Sequence, residues 1–341
     1  MRMGVLPALL GVRAVVRHPW LTVLTYHRIA EPGQGVSLDD GVIDATPDQL
    51  DAQLATLKQH YTFVGADEVI SWLHGGRLPA NPLLLTFDDG YLECATVALP
   101  ILRRHGARAI FFLPTSFLDE RKMFWWDRIS WLVGHAKTPR LTLDYPRPMT
   151  LDLEVERAES ITTLLDTVKR TRELDLPRFL AGLEAACGVA LEAAAEKKLI
   201  DQVLMTWDQV KTLVAAGMDV GSHTVTHRVL QTLAPEQLTR ELVDSRRILE
   251  ERTGTAVKTI AYPVGFKIGH DAALVDAVRA AGYLAGFTNA TGLAWTRGPR
   301  KVGAFDLPRV APTREQSLPA FLADLTIPLI TPRFGEWAAW S

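Results

Sequence analysis

Two short segments carry residue types that could do hydrolytic chemistry together. In Thr86-Phe87-Asp88-Asp89-Gly90 two carboxylates follow an apolar run, and Gly90 permits a tight turn that sends them in different directions. Adjacent carboxylates at the end of a buried strand repel each other and both lose solvent. One can then bind a cation while the other stays free to take a proton. Taken alone, the triplet reads more simply as a turn that caps the next helix. The second segment changes the balance. In Ser222-His223-Thr224-Val225-Thr226-His227 two imidazoles lie four positions apart, and on a helical turn such residues share one face and can meet one metal ion. The chain has nine histidines, so a chance surface pair is the plain alternative, but this pair follows a strand beside Gly221. Two histidines and one aspartate form a facial site with open positions for water and substrate, the catalytic rather than the structural arrangement.

The elements that must position these groups alternate between strand and helix. Apolar runs at 21–26, 82–87 and 109–113 read as buried parallel strands. Further strands are expected at 61–64, 218–220, 257–262, 284–288 and 305–310. Helices are expected at 47–60, where Thr46 and Gln49 form a capping box with Pro47 at the first position, and at 68–74, 91–105, 207–216, 235–252 and 272–281. Thr206 and Gln209 repeat the capping pattern. His27, the Asp88-Asp89 pair and Ser222-His223 all come directly after a strand. Catalytic residues of (β/α) barrels gather at that end, drawn from several strands. The expected fold is therefore an α/β irregular barrel, with residues 20–118 and 205–312 as its two parts. Residues 119–204 read as a mostly helical insertion and 313–341 as a C-terminal extension.

Together, Thr86-Phe87-Asp88-Asp89-Gly90 and Ser222-His223-Thr224-Val225-Thr226-His227 resemble the first two motifs of the NodB-type polysaccharide deacetylases, carbohydrate esterase family 4. The resemblance covers roughly 20–115 and 205–312, and it implies a distorted (β/α) barrel. It also implies that Asp88 is the catalytic base and that Asp89, His223 and His227 bind a divalent metal. That metal is usually zinc, with nickel, cobalt or manganese as alternatives. The third motif departs from the family pattern: Ala261-Tyr262-Pro263-Val264-Gly265 stands where Arg-x-Pro-Tyr-Gly is usual. The Val264 backbone N–H can still complete an oxyanion site. The missing arginine leaves Arg309, at the end of a late strand, as a substitute for orienting the base, against the plain alternative of a surface ion pair.

The late Leu-x-His element that usually supplies the general acid is also missing, since no histidine follows His270. Tyr26-His27-Arg28 instead ends the first strand. This resembles the permuted branch that includes the poly-N-acetylglucosamine deacetylases, in which an N-terminal histidine is the acid. In the insertion, Trp125, Ile129 and Leu132 have the spacing of a packing face, which leaves Trp126 or Trp131 to line a sugar or lipid platform.

Composition narrows the remaining classes. The chain has 341 residues, 48% hydrophobic and 22% charged, with a formal net charge of −2, which argues against a nucleic-acid partner. Cys94 and Cys187 are too few and too distant for a disulfide framework, and two buried thiols are expected. The apolar stretch 4–12 is far shorter than the roughly 20 residues that span a bilayer. With Arg13, Arg17 and His18 it can lie on a membrane surface, so a cytoplasmic or membrane-associated location is expected, with export left open. The expected activity is metal-dependent removal of an acetyl or formyl group from an amino sugar in a polysaccharide or lipid-linked glycan. The alternatives are a glycan-binding barrel without catalysis and an amidohydrolase for a small metabolite.

Overall fold

The computed structural model describes residues 20–33, 40–295 and 301–326. The apolar stretch 4–12, with Arg13, Arg17 and His18, lies outside them. Seven parallel strands form the frame: β1 (Trp20–Tyr26), β2 (Pro82–Phe87), β3 (Ala109–Leu113), β4 (Asp219–Ser222), β5 (Thr259–Ala261), β6 (Ala285–Thr291) and β7 (Leu307–Arg309). Each pairs with the next in chain order. The last returns to the first, because Thr25 N–H donates to Val310 O at 3.0 Å and Val310 N–H to Val23 O at 2.8 Å. The sheet thus closes into a barrel, as expected. It is irregular where β4 meets β5 at the single pair Ser222 and Ile260, and where the register shifts between β6 and β7.

Alternation along the strands sorts the side chains into two cores. Leu21, Val23, Leu84, Ile110, Phe112 and Phe287 fill the barrel interior, whereas Leu24, Tyr26, Leu85, Phe87 and Phe111 face the surrounding helices. Both faces of these strands are buried, which is why they read as continuous apolar runs. The helix Ala66–Leu73 gives Ala66, Val69 and Ile70 to the interior core, and Ala66 N–H donates to Asp219 at the start of β4 at 2.9 Å. This helix therefore plugs the N-terminal mouth of the barrel. Polar groups are left the C-terminal mouth.

Both expected capping boxes form, at Thr46 with Gln49 and at Thr206 with Gln209. The stretch expected as one helix over 91–105 divides into a π-helical turn, Cys94–Ala98, and an α-helix, Leu99–His105. Pro100 is the physical reason: it has no N–H for the carbonyl of Thr96, and its ring presses on that carbonyl. Within 119–204 four helices are present, Trp125–Gly134, Arg157–Arg170, Leu176–Cys187 and Ala193–Ile200. An unexpected antiparallel hairpin, Arg140–Leu143 with Met149–Asp152, accompanies them. Trp125, Ile129 and Leu132 are buried, and both cysteines are free and buried. Among the described residues no helix is long and apolar enough to cross a membrane.

The interior is tightly packed beneath the histidine segment. A β-carbon on Gly221 would lie 2.4 Å from the Phe112 ring and 2.8 Å from Thr259 Oγ1. Overpacking of this kind costs about 1–3 kcal/mol. Gly221→Ala is expected to lower the urea midpoint with an unchanged m-value. An unaltered midpoint would show that the barrel has room at this level.

Candidate active site

The two aspartates diverge as Gly90 was expected to allow. Asp88 continues β2, its N–H donating to Tyr26 O at 2.8 Å, and its side chain turns into the barrel mouth. There Arg309 grips it with two parallel bonds, Nη1 to Oδ1 at 2.8 Å and Nη2 to Oδ2 at 2.7 Å. Arg309 is thus no surface residue but lies buried at the end of β7. Burial alone would raise the Asp88 pKa, yet the guanidinium and nearby histidines hold it below the usual carboxylate range. Asp89 adopts φ 72°, a left-handed conformation uncommon outside glycine, and points elsewhere. Burial raises its pKa above the usual range, against the opposing fields of His27 and His223.

The histidine pair reaches its geometry by a route other than the expected helical turn. Residues 223–229 form an irregular loop after β4, with Thr224 at φ 68° and His227 at φ 54°. Two left-handed residues fold the loop back, so that the imidazoles converge without a helix. Glu241, on the helix Pro235–Thr253, holds the fold: one carboxylate oxygen accepts from Val225 N–H at 2.7 Å and Thr226 N–H at 2.8 Å, and the other from the Thr226 hydroxyl. Thr224 Oγ1 accepts from His227 N–H at 3.1 Å.

The three expected ligand residues come together. Asp89 Oδ1 lies 3.5 Å from both His223 Nε2 and His227 Nε2, and those nitrogens are 3.1 Å apart. His223 Nδ1 donates to Ala261 O at 2.8 Å, which leaves its Nε2 a lone pair. Burial, then the field of His223, holds His227 well below its usual pKa, in the neutral form that ligates metals. Asp89 Oδ1 is buried with no hydrogen-bond donor among the described residues. An orphaned carboxylate oxygen and imidazole nitrogens turned on one another fit a divalent cation.

His27 follows β1 and shares the site's field with both aspartates. Its backbone N–H and its Nδ1 both donate to Asp44 Oδ2, at 2.5 and 3.0 Å. Burial lowers its pKa, but Asp44 and then Asp89 and Asp88 outweigh this and raise it to about 9. Val264 sits at φ 64° in the turn Pro263–Gly265 after β5. A β-branched residue is strained there, as residues at functional sites often are. Of the two candidate aromatics, Trp126 packs against the His227 ring with centroids 4.4 Å apart and stacks on Phe124 at 4.3 Å. Trp131 stacks on His135 instead.

Comparison with known proteins places this geometry. The family model described as polysaccharide deacetylase matches residues 75–159 and 181–286. The chain belongs to the polysaccharide deacetylase family. Over 117 residues it is 30% identical to YxkH of Bacillus subtilis (strain 168), a protein named for the same family; the stretch is 34% of this chain and spans 39% of that relative's length. Among solved structures, the Streptococcus pyogenes deacetylase PplD in complex with acetate matches with TM-score 0.55 and 20% identity, covering 90% of this chain and 97% of that one. IcaB from Ammonifex degensii matches with TM-score 0.53 and 20% identity over the same shares. The BpsB deacetylase domain from Bordetella bronchiseptica gives 0.52 and 16%, covering 87% and 97%. At these identities the likeness speaks for the fold alone, and the expected barrel holds; the expected family holds on the matching family model.

Three polar residues that support this deacetylase-family site were not foreseen: Asp44, Glu241 and Asn289, whose Oδ1 accepts from Arg309 Nη2 at 2.5 Å. Groups that orient metal ligands typically alter affinity by about 10–100-fold when removed. Glu241→Ala is therefore expected to weaken divalent-metal binding on that order while the barrel stays folded, as read by titration with zinc and by circular dichroism. Wild-type affinity in a folded variant would mean that the loop holds its shape unaided.

Proposed function

We propose that this chain is a divalent-metal-dependent hydrolase that removes an N-acyl group, acetyl or formyl, from an amino sugar in a polysaccharide or lipid-linked glycan. The observation that carries the reading is the convergence of Asp89, His223 and His227 beside an ionised Asp88 gripped by Arg309. Family membership supports the glycan, and the fold-related PplD was solved with acetate, the acid that deacetylation releases.

In this reading Asp89, His223 and His227 hold the metal ion, which supplies Lewis acidity toward the amide carbonyl and lowers the pKa of water. Asp88 accepts a proton from the attacking water, and Arg309 keeps its carboxylate charged and oriented. The Val264 N–H donates to the carbonyl oxygen as that oxygen gains charge. His27, protonated, donates to the departing sugar amine, a poor leaving group without a proton. Trp126 forms an apolar wall against which a sugar face or acyl group can rest.

Acetate or formate release from a panel of N-acylated glycans and lipid-linked sugars tests the activity, and a chelator should abolish it. Asp88→Asn is expected to keep its metal and lose most turnover, about 10²-fold or more. Asp89→Asn should lose metal affinity instead, as elemental analysis would read. Full activity in both variants would reduce the pair to a turn and cap.

The pH profile tests His27 separately. Its acid form is present below about 9 and is lost as pH rises through that value, so the rate should fall on the alkaline side near 9. Asp88, held low, should stay ionised through neutrality. In Asp44→Asn the stabilising carboxylate is gone and burial draws His27 down, so the alkaline limb should move lower by about one pH unit or more. A limb that stays in place would assign the donated proton to another group.

A further inference from the structure

The Arg309 guanidinium has five N–H donors and no acceptor, and here all are committed. Nε donates to Thr288 O at 3.0 Å. Nη1 donates to Thr86 Oγ1 at 3.2 Å and Asp88 Oδ1 at 2.8 Å. Nη2 donates to Asp88 Oδ2 at 2.7 Å and Asn289 Oδ1 at 2.5 Å. The last contact settles which way the Asn289 amide is turned. Only its oxygen can face a group that can only donate, so Nδ2 faces away from Arg309. Among the described residues no hydrogen bond from Nδ2 is made, and the residue is half-buried near the end of β6.

Asn289 also touches the strained turn. A β-carbon on Gly265 would lie 2.4 Å from both Asn289 N and Asn289 Cβ, so the Pro263–Gly265 backbone rests directly on this residue. The side chains of Pro263 and Val264 offer no donor. Asn289 carries one beside that turn, and its amide does not titrate beside Asp88.

We propose that Asn289 is a catalytic residue whose Nδ2 donates to the acyl carbonyl oxygen of the bound amino sugar, alongside the Val264 N–H. The assignment rests on the deacylase reading above. One oxyanion donor is typically worth about 10²–10³ in kcat.

Asn289→Asp and Asn289→Ala separate the roles, because the aspartate still accepts from Arg309 but has no N–H. Both zinc-loaded variants, matched to wild type in melting temperature and metal content, are expected to lose about 10²–10³-fold in kcat on N-acetylglucosamine oligosaccharides. KM should stay within about threefold. Wild-type kcat in Asn289→Asp would overturn the assignment, leaving Asn289 only to orient Arg309. A raised KM with intact kcat would also overturn it, pointing to a sugar hydroxyl. Acetate titration of the zinc-loaded proteins needs no hydrolysis: both variants should bind at least about tenfold more weakly, the loss of one charge-assisted hydrogen bond. Equal affinity in all three proteins would overturn the proposal. Wild-type protein that binds acetate through Asn289 yet cleaves no acyl glycan would sink the deacylase reading and uphold the donor.

Discussion

The site depends on a charged carboxylate held out of bulk solvent. Asp88 has no exposed surface and Arg309 has 1%. An isolated ion would be neutralised at such depth, and an ion pair persists only with near-complete hydrogen bonding. The bidentate grip meets that condition and does architectural work too. It ties the end of β2 to the end of β7 across 221 positions of chain, beside the hydrogen bonds at Val310 that close the barrel. Breaking such a pair by removing one partner typically costs about 3–5 kcal/mol. Barrel closure and the charge state of Asp88 are thus one interaction viewed from two sides.

Around that pair the backbone is held against its preferences. Asp89, Thr224, His227 and Val264 all take left-handed conformations although none is glycine. Conformations of this kind cost on the order of 1–3 kcal/mol each and survive only when their surroundings over-determine them. Here the surroundings can be named. Glu241 clamps the histidine loop, Ser222 Oγ accepts from Thr224 N–H at 3.0 Å, and Thr115 N–H donates to Thr224 O at 3.1 Å. A looser scaffold would let the loop relax and the imidazoles separate.

Much of this was legible in the sequence, for reasons that can be traced. The strands were visible because both their faces are buried, and the capping boxes because their partners lie three positions apart. The aspartate pair and the histidine spacing marked the cluster, but spacing alone suggested a helical turn; only backbone dihedrals reveal a left-handed loop. Arg309 stood out because the family resemblance implies an arginine at the site and the third motif here lacks one. Asp44 and Glu241 left no local sign. Each is a single polar residue whose partner lies 15 to 17 positions away, and distance of that kind is set by tertiary packing. The hairpin at 140–152 escaped because its four-residue strands carry only two buried leucines, Leu141 and Leu143, on one side. The division of 91–105 follows from Pro100, whose missing N–H interrupts an otherwise helical pattern.

The helix Ala66–Leu73, described above as a plug, has a bearing on traffic. With Val69 and Ile70 sealed among the interior side chains, the barrel is blind at one end. Among the described residues this leaves the opposite mouth as the way to Asp88 and back. A long sugar chain cannot thread such a vessel; it can only drape over the rim and dip one unit at a time. On the proposed reading, incoming water, the released acid and the next acylated unit would all contend for that doorway, with Trp126 standing beside it.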